Sequence, residues 1–137
     1  MKKNLAIILC IVMLVSLFAG CTAAGGETNT TTVTDGQSVG EGAVAFSLTI
    51  VDKEGNEINI TVNTDKETVG EALLELGIVE GEDGDYGLYM THVNGIPAIF
   101  EEDGSYWAFY INGEYAMTGV EMTPIVAGES YMLKVEK

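Results

Sequence analysis

Ile58-Asn59-Ile60-Thr61-Val62-Asn63-Thr64-Asp65-Lys66-Glu67-Thr68-Val69-Gly70-Glu71-Ala72-Leu73-Leu74-Glu75-Leu76-Gly77 changes its hydrophobic period halfway along. In the first half Ile58, Ile60 and Val62 alternate with Asn59, Thr61 and Asn63, the two-residue repeat of a strand with one buried face. In the second half Val69, Ala72, Leu73 and Leu76 fall on one helical face, with Glu71 and Glu75 outside it. Thr68-Val69-Gly70-Glu71 has the spacing of a capping box, in which Thr68 accepts from the Glu71 amide and Glu71 reaches back. Gly77 is placed to stop the helix in a left-handed conformation. A helix with a single apolar stripe needs a sheet to lie on.

The flanks supply that sheet. Upstream, Val44-Ala45-Phe46-Ser47-Leu48-Thr49-Ile50-Val51 alternates as a strand, and Asp52-Lys53-Glu54-Gly55-Asn56 turns it back into the first hairpin. Downstream, residues 88–93 form a strand before Asn94-Gly95, and Pro97-Ala98-Ile99 leads into an acidic turn, Glu101-Glu102-Asp103-Gly104. Residues 106–111 precede a second Asn-Gly pair, the strongest short hairpin signal. Tyr115-Ala116-Met117 is a short return strand, and residues 131–135 close the chain. A hairpin, one helix and a meander predict an α+β fold: β-grasp-like, a mixed β-sheet with one helix packed on one face. Trp107, Phe109 and Ile111 then share the core face, and Tyr106 and Tyr110 take the open one.

The N-terminus reads differently. Met1-Lys2-Lys3-Asn4 is basic, residues 5–18 are apolar except Ser16, and Leu17-Phe18-Ala19-Gly20 ends on Cys21. This is the layout of a secretory signal. The apolar run is short beside the roughly 20 residues of a spanning helix. Cysteine directly after Ala-Gly resembles the bacterial lipoprotein cleavage box, which implies that residues 1–20 are a signal peptide and that Cys21 is lipidated. Two acyl chains suffice for stable anchoring. Residues 21–43, rich in Thr and Gly, read as a flexible tether with a reach of about 25 Å, which leaves 44–137 as one folded domain.

Charge excludes several functions. The whole chain has six basic and 21 acidic residues, a net charge of −15. Loss of Lys2 and Lys3 leaves four lysines against 21 acids, or −17, with no arginine anywhere. Such a chain is repelled by nucleic acid and by anionic headgroups. Cys10 leaves with the signal and Cys21 is expected to be acylated, so the domain carries neither disulfide nor thiol nucleophile.

Three segments, in order, resemble the small C-terminal β-domain of the cobalamin carriers intrinsic factor and transcobalamin. The first is Ile58-Asn59-Ile60-Thr61-Val62 with the helix at Thr68. The second is Gly87-Leu88-Tyr89-Met90-Thr91-His92-Val93-Asn94-Gly95-Ile96. The third is Ser105-Tyr106-Trp107-Ala108-Phe109-Tyr110-Ile111-Asn112-Gly113-Glu114-Tyr115-Ala116, with Gly119-Val120 behind it. Bacterial lipoproteins bearing this transcobalamin-like (DUF4430-type) domain form a related group. The resemblance implies a corrinoid as a conceivable ligand. In the carriers a larger helical domain supplies the opposite wall of the site, and this chain has no such domain.

The chemistry-bearing residues are sparse. His92 is the only histidine and reads as a sheet-face residue. Ser47, Ser105 and Ser130 lack a nucleophile signature, and no His or Cys spacing suits a metal. Glu80-Gly81-Glu82-Asp83-Gly84-Asp85 reads as a solvated acidic turn or a weak calcium site. An enzyme is not expected, nor any cofactor. Tyrosines on the open face and loop rim suit recognition of a flat ligand or a protein, and plain β-propensity also explains them. The candidate ligand-binding residues are Tyr89, Trp107, Tyr110, Tyr115 and Met117. Two functions stay open: a binding module for a corrinoid or other flat ligand, tethered on the outer side of the bacterial cytoplasmic membrane, or a cell-envelope interaction or adhesion module with no small-molecule ligand.

Overall fold

The computed structural model describes residues 31–137. The signal segment and Cys21 lie outside them. The elements are β1 (Ser38–Val39), β2 (Val44–Val51), β3 (Glu57–Thr64), helix α1 (Val69–Glu75), β4 (Val79–Gly84), β5 (Gly87–Val93), β6 (Ile96–Pro97), the short helix α2 (Phe100–Asp103), β7 (Tyr106–Ile111), β8 (Glu114–Tyr115), a 3-10 turn (Val120–Met122) and β9 (Ser130–Glu136). They build a six-stranded sheet in the order β1-β3-β2-β9-β7-β8 and a three-stranded sheet in the order β4-β5-β6. The larger sheet is mixed: β9 runs parallel to β2 and antiparallel to β7. The α+β class with a mixed sheet and one packed helix is as the sequence predicts.

Alternation decides what is buried. Phe46, Leu48, Ile50, Ile60, Val62, Trp107, Phe109, Tyr131 and Leu133 belong to one core with Val69, Ala72 and Leu73 of α1. Tyr131 is its aromatic hinge, edge-on to Phe46 at 5.2 Å and stacked on Phe109 at 5.9 Å. The capping box is formed: Thr68 Oγ1 accepts from Glu71 N (3.2 Å), and Thr68 N donates to Glu71 Oε2 (3.3 Å). Both Asn-Gly pairs make two-residue hairpins. Asn112 (φ 49°) and Gly113 (φ 84°) join Ile111 to its partner Glu114 in the doubly left-handed geometry that matches strand twist.

Two expectations need correction. The tether does not run to residue 43: Val33 is fully buried in the core, and β1 pairs in parallel with β3. Polar composition concealed this, because one valine and a two-residue edge strand leave no periodic signal. The acidic stretch 80–85 is not a turn but mostly the strand β4, paired antiparallel with β5. Alternation sends its acids to opposite faces, so they do not converge on an ion. The acidic turn at 101–104 is also more regular than expected, a single helical turn closed by Gly104.

Candidate functional site

The start of α1 fixes the site. Val69 N donates to Thr123 O (3.0 Å) and Ile125 N to Glu67 O (2.9 Å), so the capped helix end holds the 3-10 turn. From that turn Glu121 reaches β5, where its Oε1 accepts from Leu88 N at 3.1 Å. Its Oε2 is enclosed without a hydrogen-bond partner among the described residues. Gly87, with φ 108°, and Gly119 leave the space that this carboxylate occupies. Glu121 therefore links the 3-10 turn to β5.

Between those segments and β7 lies an open cleft of about 330 Å³. Leu88 and Met90 of β5 form one wall and Trp107 and Phe109 of β7 the floor. The connection from Tyr115 through Ala116, Met117, Thr118 and Gly119 to Val120 forms the rim. Trp107 is 5% exposed and donates from Nε1 to Ile96 O (3.2 Å), which locks its ring in place. Met117 stands out at 95% exposure. An isolated exposed apolar side chain needs no explanation, but one at the mouth of an apolar cleft is placed to contact whatever enters.

A β-bulge decides which side of β5 meets the cleft. Glu80 pairs with His92 and Gly81 with Met90, so Thr91 is the extra residue. The bulge reverses the alternation, and both Met90 and Val93 turn inward three residues apart. Tyr89 consequently faces away from the cleft. Its hydroxyl donates to Glu101 Oε2 (3.2 Å) and accepts from Phe100 N (3.0 Å), tying β5 to α2. His92 Nδ1 lies 3.0 Å from Thr91 Oγ1.

Of the five residues singled out from sequence, Trp107 and Met117 come together at the cleft, and Tyr115 borders its rim while its ring packs on the outer face with Tyr110. Tyr89 and Tyr110 lie away from the cleft. Tyr110 lies on the outer face of the large sheet, where it donates to Glu136 Oε1 (2.9 Å) and packs edge-on against Tyr115 at 5.5 Å. That bond raises the Tyr110 pKa and lowers that of Glu136. Leu88, Met90, Phe109 and the 118–120 segment were missed, since apolar alternation marks a core residue and a cleft residue alike. Elsewhere Asp103 is held well below the usual carboxylate range by the Lys53 ammonium at 2.7 Å and by Ser105.

A small α+β domain with an open cleft between its sheets has the form of a binding module. The chain belongs to the family described as "Domain of unknown function (DUF4430)", whose model matches residues 66–137, more than half of its length. It is similar to the crystal structure of a "putative metal binding protein" from Ruminococcus gnavus ATCC 29149, with 26% identity and a TM-score of 0.65 over 69% of this chain and 98% of that one. It is also similar in fold to haptocorrin in complex with Cbi, at 20% identity and a TM-score of 0.51. That match covers 69% of this chain and 25% of haptocorrin, so this domain corresponds to a quarter of the larger protein. A search of curated proteins finds no match.

Proposed function

We propose that the chain is a non-catalytic ligand-binding module, and that its cleft takes one face of a flat, partly apolar molecule, with a corrinoid as the first ligand to try. The observation that carries this reading is the convergence of Trp107 and the exposed Met117 on one cleft with Leu88, Met90 and Phe109. Apolar side chains held on a rigid floor suit contact with the face of a planar ligand. The likeness in fold to haptocorrin supports the choice of ligand. The metal-binding description of the Ruminococcus gnavus protein is not carried over: among the described residues no three His, Cys, Asp or Glu side chains are arranged to hold a metal ion.

In the proposed setting Cys21 carries a lipid and the module sits on the outer side of the bacterial cytoplasmic membrane. Open on one side, the cleft covers one face of a ligand, so affinity is micromolar or weaker and a partner protein completes the site. Titration of the purified chain with cobinamide and cobalamin tests this through the single tryptophan.

A second reading, a cell-envelope interaction module, is favoured by Tyr86, fully exposed at the β4–β5 hairpin tip, and by the exposed Phe100. It would hold if neither corrinoid binds and Tyr86→Ala removes capture of a partner from the same envelope.

A further inference from the structure

Strand register places two carboxylates beside the cleft, and this gives its occupant a charge. Asp83 of β4 is paired directly with Leu88, and directly opposed residues of an antiparallel pair share a face. Leu88 lines the cleft, so Asp83 stands on the cleft side of its strand. Glu114 of β8 is paired with Ile111, which packs against the core on the Trp107 and Phe109 face of β7. Glu114 therefore stands on that side too, one residue from the rim at Tyr115. Both are exposed, and neither takes part in an ion pair among the described residues.

No cation answers them there. Of the four lysines in the described residues, Lys53 pairs with Asp103, Lys66 with Glu75 and Lys134 with Glu136, and none of the four lines the cleft. The half-buried Glu121 carboxylate, held by Leu88 N, adds a third acidic group nearby. A cleft flanked by charge of one sign concentrates counter-charged ligands and repels like-charged ones.

We infer that the cleft is a site for a flat apolar molecule carrying positive charge, with Asp83 and Glu114 as the residues that select for that charge. The inference rests on the binding reading of the cleft. Apolar side chains and flanking carboxylates together favour a delocalised cation, which sheds its hydration more readily than a compact one.

Three probes separate the two claims. Proflavine is a planar cation, N-phenylnaphthylamine is neutral, and anilinonaphthalene sulfonate is the same skeleton with an anionic group. Each is titrated into the full chain in detergent, following Trp107 fluorescence at low and high salt. The expected order is proflavine tightest and the sulfonate weakest, with roughly a tenfold spread that contracts at high salt. The double variant Asp83→Asn, Glu114→Gln should contract the spread at low salt with an unchanged near-ultraviolet circular dichroism spectrum. Glu54→Gln with Glu57→Gln, the same loss of charge on the distant β2–β3 hairpin, should leave it intact. If the sulfonate binds as well as the neutral probe, or the distant pair acts as strongly as the near one, the charge inference fails while the cleft stands. If no probe quenches Trp107 saturably, the binding reading fails and the inference with it.

Discussion

The Asn94 side chain brackets the peptide of Val33 from both sides: Oδ1 accepts from Val33 N at 2.6 Å, and Nδ2 donates to Val33 O at 3.1 Å. Both residues are buried, and Asn94 holds a left-handed conformation (φ 53°) at the β5–β6 turn. The clamp fastens the start of the described chain to the small sheet. Asn94→Gly keeps the backbone geometry but strands two buried polar groups, at a cost of about 2–4 kcal/mol. Hydrogen exchange should then show residues 33–39 opening before the rest of the domain. Unchanged protection there would mean that the clamp holds nothing.

Leu73 is fully buried on the helix face that meets the core, whereas its neighbour Leu74 is 42% exposed. Leu73→Ala is expected to destabilise by about 2–5 kcal/mol in urea titration. Leu74→Ala should stay within about 0.5 kcal/mol. Equal costs at the two positions would contradict the orientation of α1.

The Tyr110–Glu136 hydrogen bond has a signature at both ends of the pH scale. The bond from Tyr110 holds Glu136 below its ordinary 4.5, so its contribution is complete above pH 4.5 and lost as pH falls through the lowered value. The same bond, with desolvation, holds Tyr110 above 10.0, so its contribution is complete below pH 10 and lost as pH rises through the raised value. The difference in Tm between wild type and Tyr110→Phe should therefore be flat between these limits and shrink beyond each. A difference independent of pH would contradict the pairing.

In the proposed setting the membrane anchor depends on Cys21. Cys21→Ser is expected to move the chain from the membrane fraction to the soluble one, since two acyl chains are what secure such an anchor. Retention of the serine variant after a high-salt wash would rule out the lipid anchor.

The fold was legible where local chemistry is strong. The change of period across 58–77, the Thr68–Glu71 box and two Asn-Gly turns gave the hairpins and the helix. What stayed hidden depends on distant partners. The strand β4 contains Glu, Asp and Gly, poor strand formers, and is extended because β5 pairs with it. The parallel alignment of β2 with β9 joins chain segments with no local link. At the site, Trp107, Tyr115 and Met117 stood out by type. Tyr89 was misplaced because the bulge at Thr91 reverses the alternation, and nothing in Met90-Thr91-His92 announces a bulge.

The most direct test is a titration of cobinamide into the purified full chain, following Trp107 fluorescence with inner-filter correction. Wild type should quench saturably with a micromolar or weaker Kd. Met117→Ala should weaken binding several-fold with Tm nearly unchanged, because that side chain is 95% exposed at the cleft rim. Tyr110→Phe, on the outer face, should bind as wild type does. Quenching just as strong after the Met117 substitution, or none at all in the wild type, would contradict a ligand site in this cleft.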